Sequence, residues 1–181
     1  MQRVVIWCAL LTSLLGGCAD LVARRRFEVL PLLPAAALGA EAERTQRLTV
    51  TRDDGGPQLI LDAVVEVDAK EVRVAGFLLG QRVLLLSWDG ERLMEVREPM
   101  IPSAVKGRAI LRDLQLAYWP AMAVRSILPR GCLLKEQLRH RQIDCGGAAI
   151  LSVEREDDQS LGSARLHNLV RHYRIAIEAA Q

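Results

Sequence analysis

Apolar and polar residues alternate strictly along much of the chain, and the places where the alternation stops mark the other elements. In Gln46–Arg52, Leu48 and Val50 point one way while Arg47, Thr49 and Thr51 point the other. In Pro57–Asp68, Leu59, Leu61, Ala63, Val65 and Val67 share one face, opposite Gln58, Asp62, Glu66 and Asp68. A period of two is the mark of a half-buried strand, and Asp53-Asp54-Gly55-Gly56 reads as the turn between these two. Further strands are predicted over 71–79, 82–88 and 91–97. Tight connections at Gly80-Gln81 and Asp89-Gly90 join them, the second a preferred hairpin pair. Pro99 and Pro102 end this meander.

The spacing then turns helical. Ile110, Leu111, Leu114, Leu116 and Ala117 recur at intervals that predict a helix over 108–119, and Pro120 opens a second over 121–128. Pro129 and Gly131 stop it, and strands resume over 132–138, 142–145, 148–156, 164–168 and 171–179. Strands linked as hairpins imply an antiparallel sheet, and a sheet with one apolar face must cover it or curl around it. The expected fold is therefore mainly β with α: a curved antiparallel sheet or open half-barrel with a helical lid. One β-rich domain is expected over 41–181, with the helical insert at about 104–129.

The start of the chain follows another pattern. Arg3 precedes an apolar run, Val4–Leu15, that is too short to span a bilayer, which takes roughly 20 residues. A charged start, a greasy middle and a small-residue exit make residues 1–17 a secretory signal. The exit, Leu15-Gly16-Gly17-Cys18, resembles the lipobox of bacterial lipoproteins. That resemblance implies cleavage before Cys18 and acylation of its thiol and amine, so membrane lipid is the expected partner. Ala19 after the cysteine, with Asp20 one place later, points to the outer membrane and its periplasmic face. Residues 18–40 hold two prolines and no period, a tether expected to pack on the domain. Arg24, Arg25 and Arg26 lie close enough to the anchor to meet anionic headgroups.

Composition narrows the chemistry. A net charge of +2 implies no nucleic-acid patch. The histidines, His140, His167 and His172, sit in no metal-ligand spacing, and no serine sits in a Gly-x-Ser-x-Gly elbow. No phosphate loop, cofactor, metal site or catalytic set is expected, and the chain does not read as an enzyme. Cys132 and Cys145 remain once Cys8 leaves with the signal and Cys18 is acylated. A hairpin turning about Leu138 and Arg139 sets them opposite one another, and the oxidising compartment favours a disulfide.

Half of the residues are hydrophobic but only 4% aromatic, so the bulk is aliphatic. Gly76–Trp88 carries apolar residues on both strand faces, one for a core and one for a cavity that would take an acyl chain. Candidate lining residues are Leu59, Leu61, Val65, Phe77, Leu79, Leu84, Leu86, Trp88, Leu114, Trp119 and Ile127. The rival expectation is a non-catalytic envelope assembly or scaffold lipoprotein with no bound lipid.

The segments QRLTV, LDAVVEVDAKEVRVAGFLLGQRVLLLSWDG, LRDLQLAYWP and LHNLVRHYRIAIE resemble a family of poorly characterised Gram-negative lipoproteins. Their genes commonly lie beside aryl-polyene and related fatty-acid-like biosynthesis genes. The layout is more distantly similar to the lipoprotein carriers LolA and LolB. That similarity implies an open curved sheet whose helices lid an apolar cavity, with a lipid or lipoprotein as cargo. LolB delivers cargo with a protruding loop bearing an exposed leucine. The tight connections expected here speak against lipoprotein insertion and leave acyl or polyene-lipid handling as the broader expectation.

Overall fold

The computed structural model describes residues 25, 27–102, 105–156 and 160–179. The expected signal segment and Cys18 lie outside the described residues. Ten strands form one antiparallel sheet. The first five are β1 (Ala42–Arg52), β2 (Leu59–Val67), β3 (Val72–Leu78), β4 (Gln81–Trp88) and β5 (Leu93–Arg97). Two helices follow, α1 (Gly107–Tyr118) and α2 (Ala121–Ile127). The remaining strands are β6 (Cys132–Gln137), β7 (His140–Cys145), β8 (Ala148–Arg155), β9 (Ala164–Asn168) and β10 (Tyr173–Ala179).

The spatial order is β5-β4-β3-β2-β1-β10-β9-β8-β7-β6. Two five-stranded meanders therefore meet where the first strand pairs the last, with Leu48 opposite Ile177 and Val50 opposite Ile175. Registers carry one continuous face across the sheet: Leu86 with Val74, Val74 with Val65, Ile175 with Leu166, Leu166 with Val153. The helices cover this face.

Curling of the sheet follows from the reach of α1. A Cβ at Gly107, the first residue of α1, would stand 2.5 Å from Leu86 Cδ2 on β4. The last turn of the same helix is gripped by Arg141 on β7. Strands β4 and β7 are seven steps apart, about 34 Å along a flat sheet at ~4.8 Å per step. The 12 residues of α1 extend only about 18 Å. The sheet must bend round the helix for both ends to touch.

Cys132 and Cys145 face one another in the β6–β7 ladder and are joined as a disulfide, with Cα atoms 4.1 Å apart. The hairpin turns at Leu138 and Arg139, as the sequence predicts. Several boundaries differ by a few residues. Strand β1 begins at Ala42, well before the alternation at Gln46, and β10 begins at Tyr173 rather than Arg171. The β3–β4 connection is tight, but its two tip residues are Leu79 and Gly80, because Leu78 pairs Gln81. Leu79 takes the left-handed conformation at φ 51°, a place where Gly or Asn is usual and leucine carries no turn signal.

Candidate functional site

The covered face is sealed at one end of the strands and half-open at the other. Take the end at which β1 finishes and β2 begins. The antiparallel order brings the Leu79-Gly80 tip and the β9–β10 turn to that same end. Here Leu48, Val50, Leu59, Leu61 and Ile175 lie on the covered face and are only half-buried. Deeper along the same strands Ala63, Val65, Val67, Val74 and Leu86 are buried. The half-open residues form an aliphatic mouth that continues into the core.

Much of that core is closed by the chain preceding β1. Residues 27–38 run over the covered face as a strap, ending in a 3-10 turn, Ala35–Leu38. Phe27, Leu30, Leu32, Leu33 and Leu38 are buried in the main cluster with Trp88, Leu116 and Trp119. The strap has no strand partner, so its polar backbone is satisfied by side chains. Gln115 does most of this at one point. Its carboxamide accepts from Leu33 N–H at 2.8 Å and donates to Leu33 C=O at 2.7 Å. Trp88 Nε1 donates to the same carbonyl at 2.8 Å, and Trp119 Nε1 to that of Pro34 at 3.2 Å.

The start of the strap is held more loosely. Arg112 Nη1 donates to Glu28 C=O at 2.9 Å and to Phe27 C=O at 3.5 Å, and Arg108 reaches Leu30 C=O at 3.5 Å. Glu28 stands 3.7 Å from Arg171 Nε in the β9–β10 turn, which places this end of the strap at the mouth. Beneath it lies a buried polar cluster. The Asp113 carboxylate takes the Tyr173 hydroxyl and the Asn168 amide, the latter at 3.1 and 3.3 Å. Burial pushes the Asp113 pKa up, against the pull of Arg112, Tyr173 and Asn168. Burial and the Asp113 charge together push the Tyr173 phenol up as well.

The far end of α1 is braced instead. Arg141 Nη1 donates to the carbonyls of Leu116 and Trp119, both at 2.8 Å, capping the helix with a buried positive charge. Its other nitrogens reach Glu136, which also takes Arg155 at 2.8 Å. Burial lowers the Arg141 pKa, with Glu136 opposing. Tyr118 adds a hydrogen bond to Gly162 C=O at 2.6 Å.

The residues predicted to line a cavity fall into four groups. Leu59 and Leu61 lie at the mouth, and Leu114 on α1 is half-buried. Val65, Leu84, Leu86, Trp88 and Trp119 are sealed within the core and line no open space in this arrangement. Phe77 must be corrected: it pairs Asp62 on the outer face, in step with Arg73 and Ala75, while Val72, Val74 and Gly76 of the same strand face the core. Leu79 must be corrected too, since the tip carries it out of the sheet to 98% exposure. Ile127 belongs to α2, which packs beside β6 at the opposite edge from Trp88.

Two recesses on the outer side have another character. One, of about 650 Å³, is lined by Gln137, Arg139, His140, Glu154, Arg155 and Arg165 around the β6–β7 tip. The other, of about 430 Å³, is lined by Thr49, Thr51, Glu154, Arg165, His167 and Arg174. Both are open and ringed by charged side chains, with Leu138 bordering the first and Leu166, Ile175 and Ala176 the second. The residues of α1 that bind the strap, Arg112 and Gln115, and the buried Asp113 beside them escaped sequence reading because they look like the solvated side of an amphipathic helix.

A family model described as "Protein of unknown function (DUF3261)" matches residues 43–181. The chain belongs to this family. The matched span of DUF3261 takes in nearly the whole sheet, both helices and the disulfide, and begins after the strap. The matched span of this chain contains Trp88, Gln115 and Trp119, whose bonds to the strap reach outside it. No curated protein matches the chain.

Proposed function

We propose that this chain is an outer-membrane lipoprotein, anchored through acylated Cys18, that binds an acyl-like lipid non-covalently under its lid. It would help place that lipid, or an acylated protein, at the membrane. The observation that carries the reading is the aliphatic mouth, which continues along β2 from Leu59 and Leu61 to Ala63, Val65 and Val67 in a core closed by a strap rather than by a strand. Leu33 and Pro34 are clamped by Gln115, Trp88 and Trp119, so the strap hinges there and Phe27–Leu32 is the part that lifts.

The energies are comparable. Re-exposing Phe27, Leu30 and Leu32 costs about 6 kcal/mol at ~2 kcal/mol per large side chain. About eight buried methylenes return the same amount at ~0.8 kcal/mol each. A longer acyl chain would favour the open form. The strap also leads back toward the anchor. Cys18 lies nine residues before Phe27, a reach of about 30 Å when extended. The end of the domain that carries Phe27 and Glu28 also carries the fully exposed Leu79. The exposed leucine supports an orientation with the mouth toward lipid, and its connection is as tight as the sequence predicts. The resemblance to aryl-polyene-associated lipoproteins and to LolB points the same way.

The test is native mass spectrometry of the chain extracted gently from membranes. A bound acyl species is expected, and protein recovered free of lipid under conditions that keep known carriers loaded would reject the reading. One observation favours a scaffold instead. On the outer face Val64, Ala75, Leu85 and Val96 pair in a row across β2–β5, ending at an edge strand with exposed Met94 and Val96. A stoichiometric protein partner lost on Val96→Lys, with no lipid bound, would favour that second reading.

A further inference from the structure

We infer that the bound lipid carries an anionic head, a carboxylate or phosphate, which Arg112 and Arg171 take at the mouth once the start of the strap has lifted. This rests on the acyl-binding reading above and names the chemistry of its ligand. The first observation is a buried deficit of acceptors. Arg112 is 3% exposed, yet its Nε and Nη2 have no hydrogen-bond partner among the described residues. Nε of Arg171 is likewise buried without one. A guanidinium offers five donors in a planar fork matched to carboxylate and phosphate. In the closed arrangement much of that fork is unused.

The second observation is what fills the place. The start of the strap presents oxygen atoms and apolar bulk to these arginines, as an anionic amphiphile would. Carbonyls of Phe27 and Glu28 accept from Arg112. The Glu28 carboxylate stands 3.7 Å from Arg171 Nε, and the Phe27 ring lies 5.1 Å below the Arg112 carbon. Buried Leu30 and Leu32 follow. The strap thus occupies the site with its own carboxylate ahead of its own greasy residues.

The remaining charges nearby do not satisfy the arginines. Asp113 Oδ1 is 3.5 Å from Arg112 Nε, but its oxygens already serve the Tyr173 hydroxyl and the Asn168 amide. Asn168 Oδ1 is taken by the Arg171 backbone N–H at 3.0 Å. Arg108 on the same side of α1 adds a third positive charge along the strap. When Glu28 leaves with the strap, Arg112 and Arg171 lose its carboxylate and Arg112 loses the two strap carbonyls, while Asp113 stays beside Arg112 at 3.5 Å.

The experiment uses the full chain carrying Cys18→Ser, so that no acyl group of its own competes. The probes are cis-parinaric acid and its methyl ester, whose fluorescence rises in an apolar site. Wild type should bind the acid about tenfold more tightly than the ester, the margin of one charge-assisted contact. Arg171→Gln should reduce that preference toward parity and leave ester binding unchanged. Glu28→Gln should strengthen acid binding. Both positions are partly exposed, whereas Arg112 is buried, so these variants are expected to keep the fold; circular dichroism checks each. Displacement by palmitate but not lysophosphatidate assigns a carboxylate head, and the reverse assigns a phosphate. Hexadecanol competing as well as palmitate, or equal affinity for acid and ester, overturns the head site while the acyl reading stands. Binding of neither probe defeats the acyl reading and this inference with it.

Discussion

The two meanders are built to the same plan and finished differently. In the second, β6–β10, the lid is tied down by directional bonds: Arg141 on the carbonyls of α1, Asn168 and Tyr173 on Asp113, Tyr118 on Gly162. A disulfide closes its first hairpin. In the first, β1–β5, the lid rests on apolar contact, and the strap is clamped most closely at Leu33 and Pro34. Polar bonds fix position; apolar contact holds without fixing it. The comparison teaches which side of the groove opens. The helices stay with the second meander, and the beginning of the strap lifts from the mouth.

Removing the brace should have the largest effect. Arg141→Met leaves α1 uncapped and Glu136 half-buried with one partner fewer, so urea titration should show a loss of about 3 kcal/mol. An exposed pair such as Arg47–Asp62 sets the scale from below: Arg47→Ala should cost no more than about 0.5 kcal/mol. Next comes Gly107→Ala. Its methyl would stand 2.5 Å from Leu86 Cδ2 and 2.6 Å from Glu95 Oε2, and overpacking of this kind costs about 2 kcal/mol. Because it forces α1 away from the first meander, it should also raise the mobility of the strap, seen as faster exchange at Leu30.

A smaller effect tests the clamp. Gln115→Ala strands the N–H of Leu33, while its carbonyl keeps the Trp88 indole, a cost of about 1–2 kcal/mol. It should bring the protection of Leu33 down to that of Leu30. If Leu33 stays protected, the two halves of the strap do not differ in the way described.

The smallest effect concerns pH. Burial raises the folded-state pKa of Asp113, so the folded chain holds that proton more tightly than the unfolded chain does. The stability this group contributes is full below its unfolded pKa, about 4, and is lost as pH rises through the folded value. The margin of wild type over Asp113→Asn should therefore shrink on going from acid toward neutral pH. Asp53, Asp54, Asp68, Asp89 and Asp144 have lowered values and act in the opposite sense in acid. Both proteins share them, so the difference isolates Asp113.

Sequence pattern carried the sheet, the helical pair and the disulfide, because alternation and helical spacing record which residues face a core. Cys132 and Cys145 are the clearest case: counting outward from Leu138 and Arg139 puts them in register. Three things were not legible, each for a physical reason. Both faces of β2–β4 are aliphatic, so alternation could not say which is covered, and Phe77 was assigned to the wrong one. The Leu79 turn rests on a left-handed leucine rather than on Gly, Asn or Asp. Arg112, Asp113 and Gln115 are buried because α1 is covered on two sides, by the sheet and by the strap. A helical pattern assumes only one covered side.

Hydrogen exchange along the strap, with and without palmitate, tests the central claim most directly. Leu30 N–H reaches Phe27 C=O at 3.3 Å within the part that lifts, and Leu33 N–H reaches Gln115 at 2.8 Å within the clamp. The account predicts that palmitate speeds exchange at Leu30 and leaves Leu33 slow. Unchanged exchange at both sites with palmitate bound, or equal loss of protection at both, would contradict it.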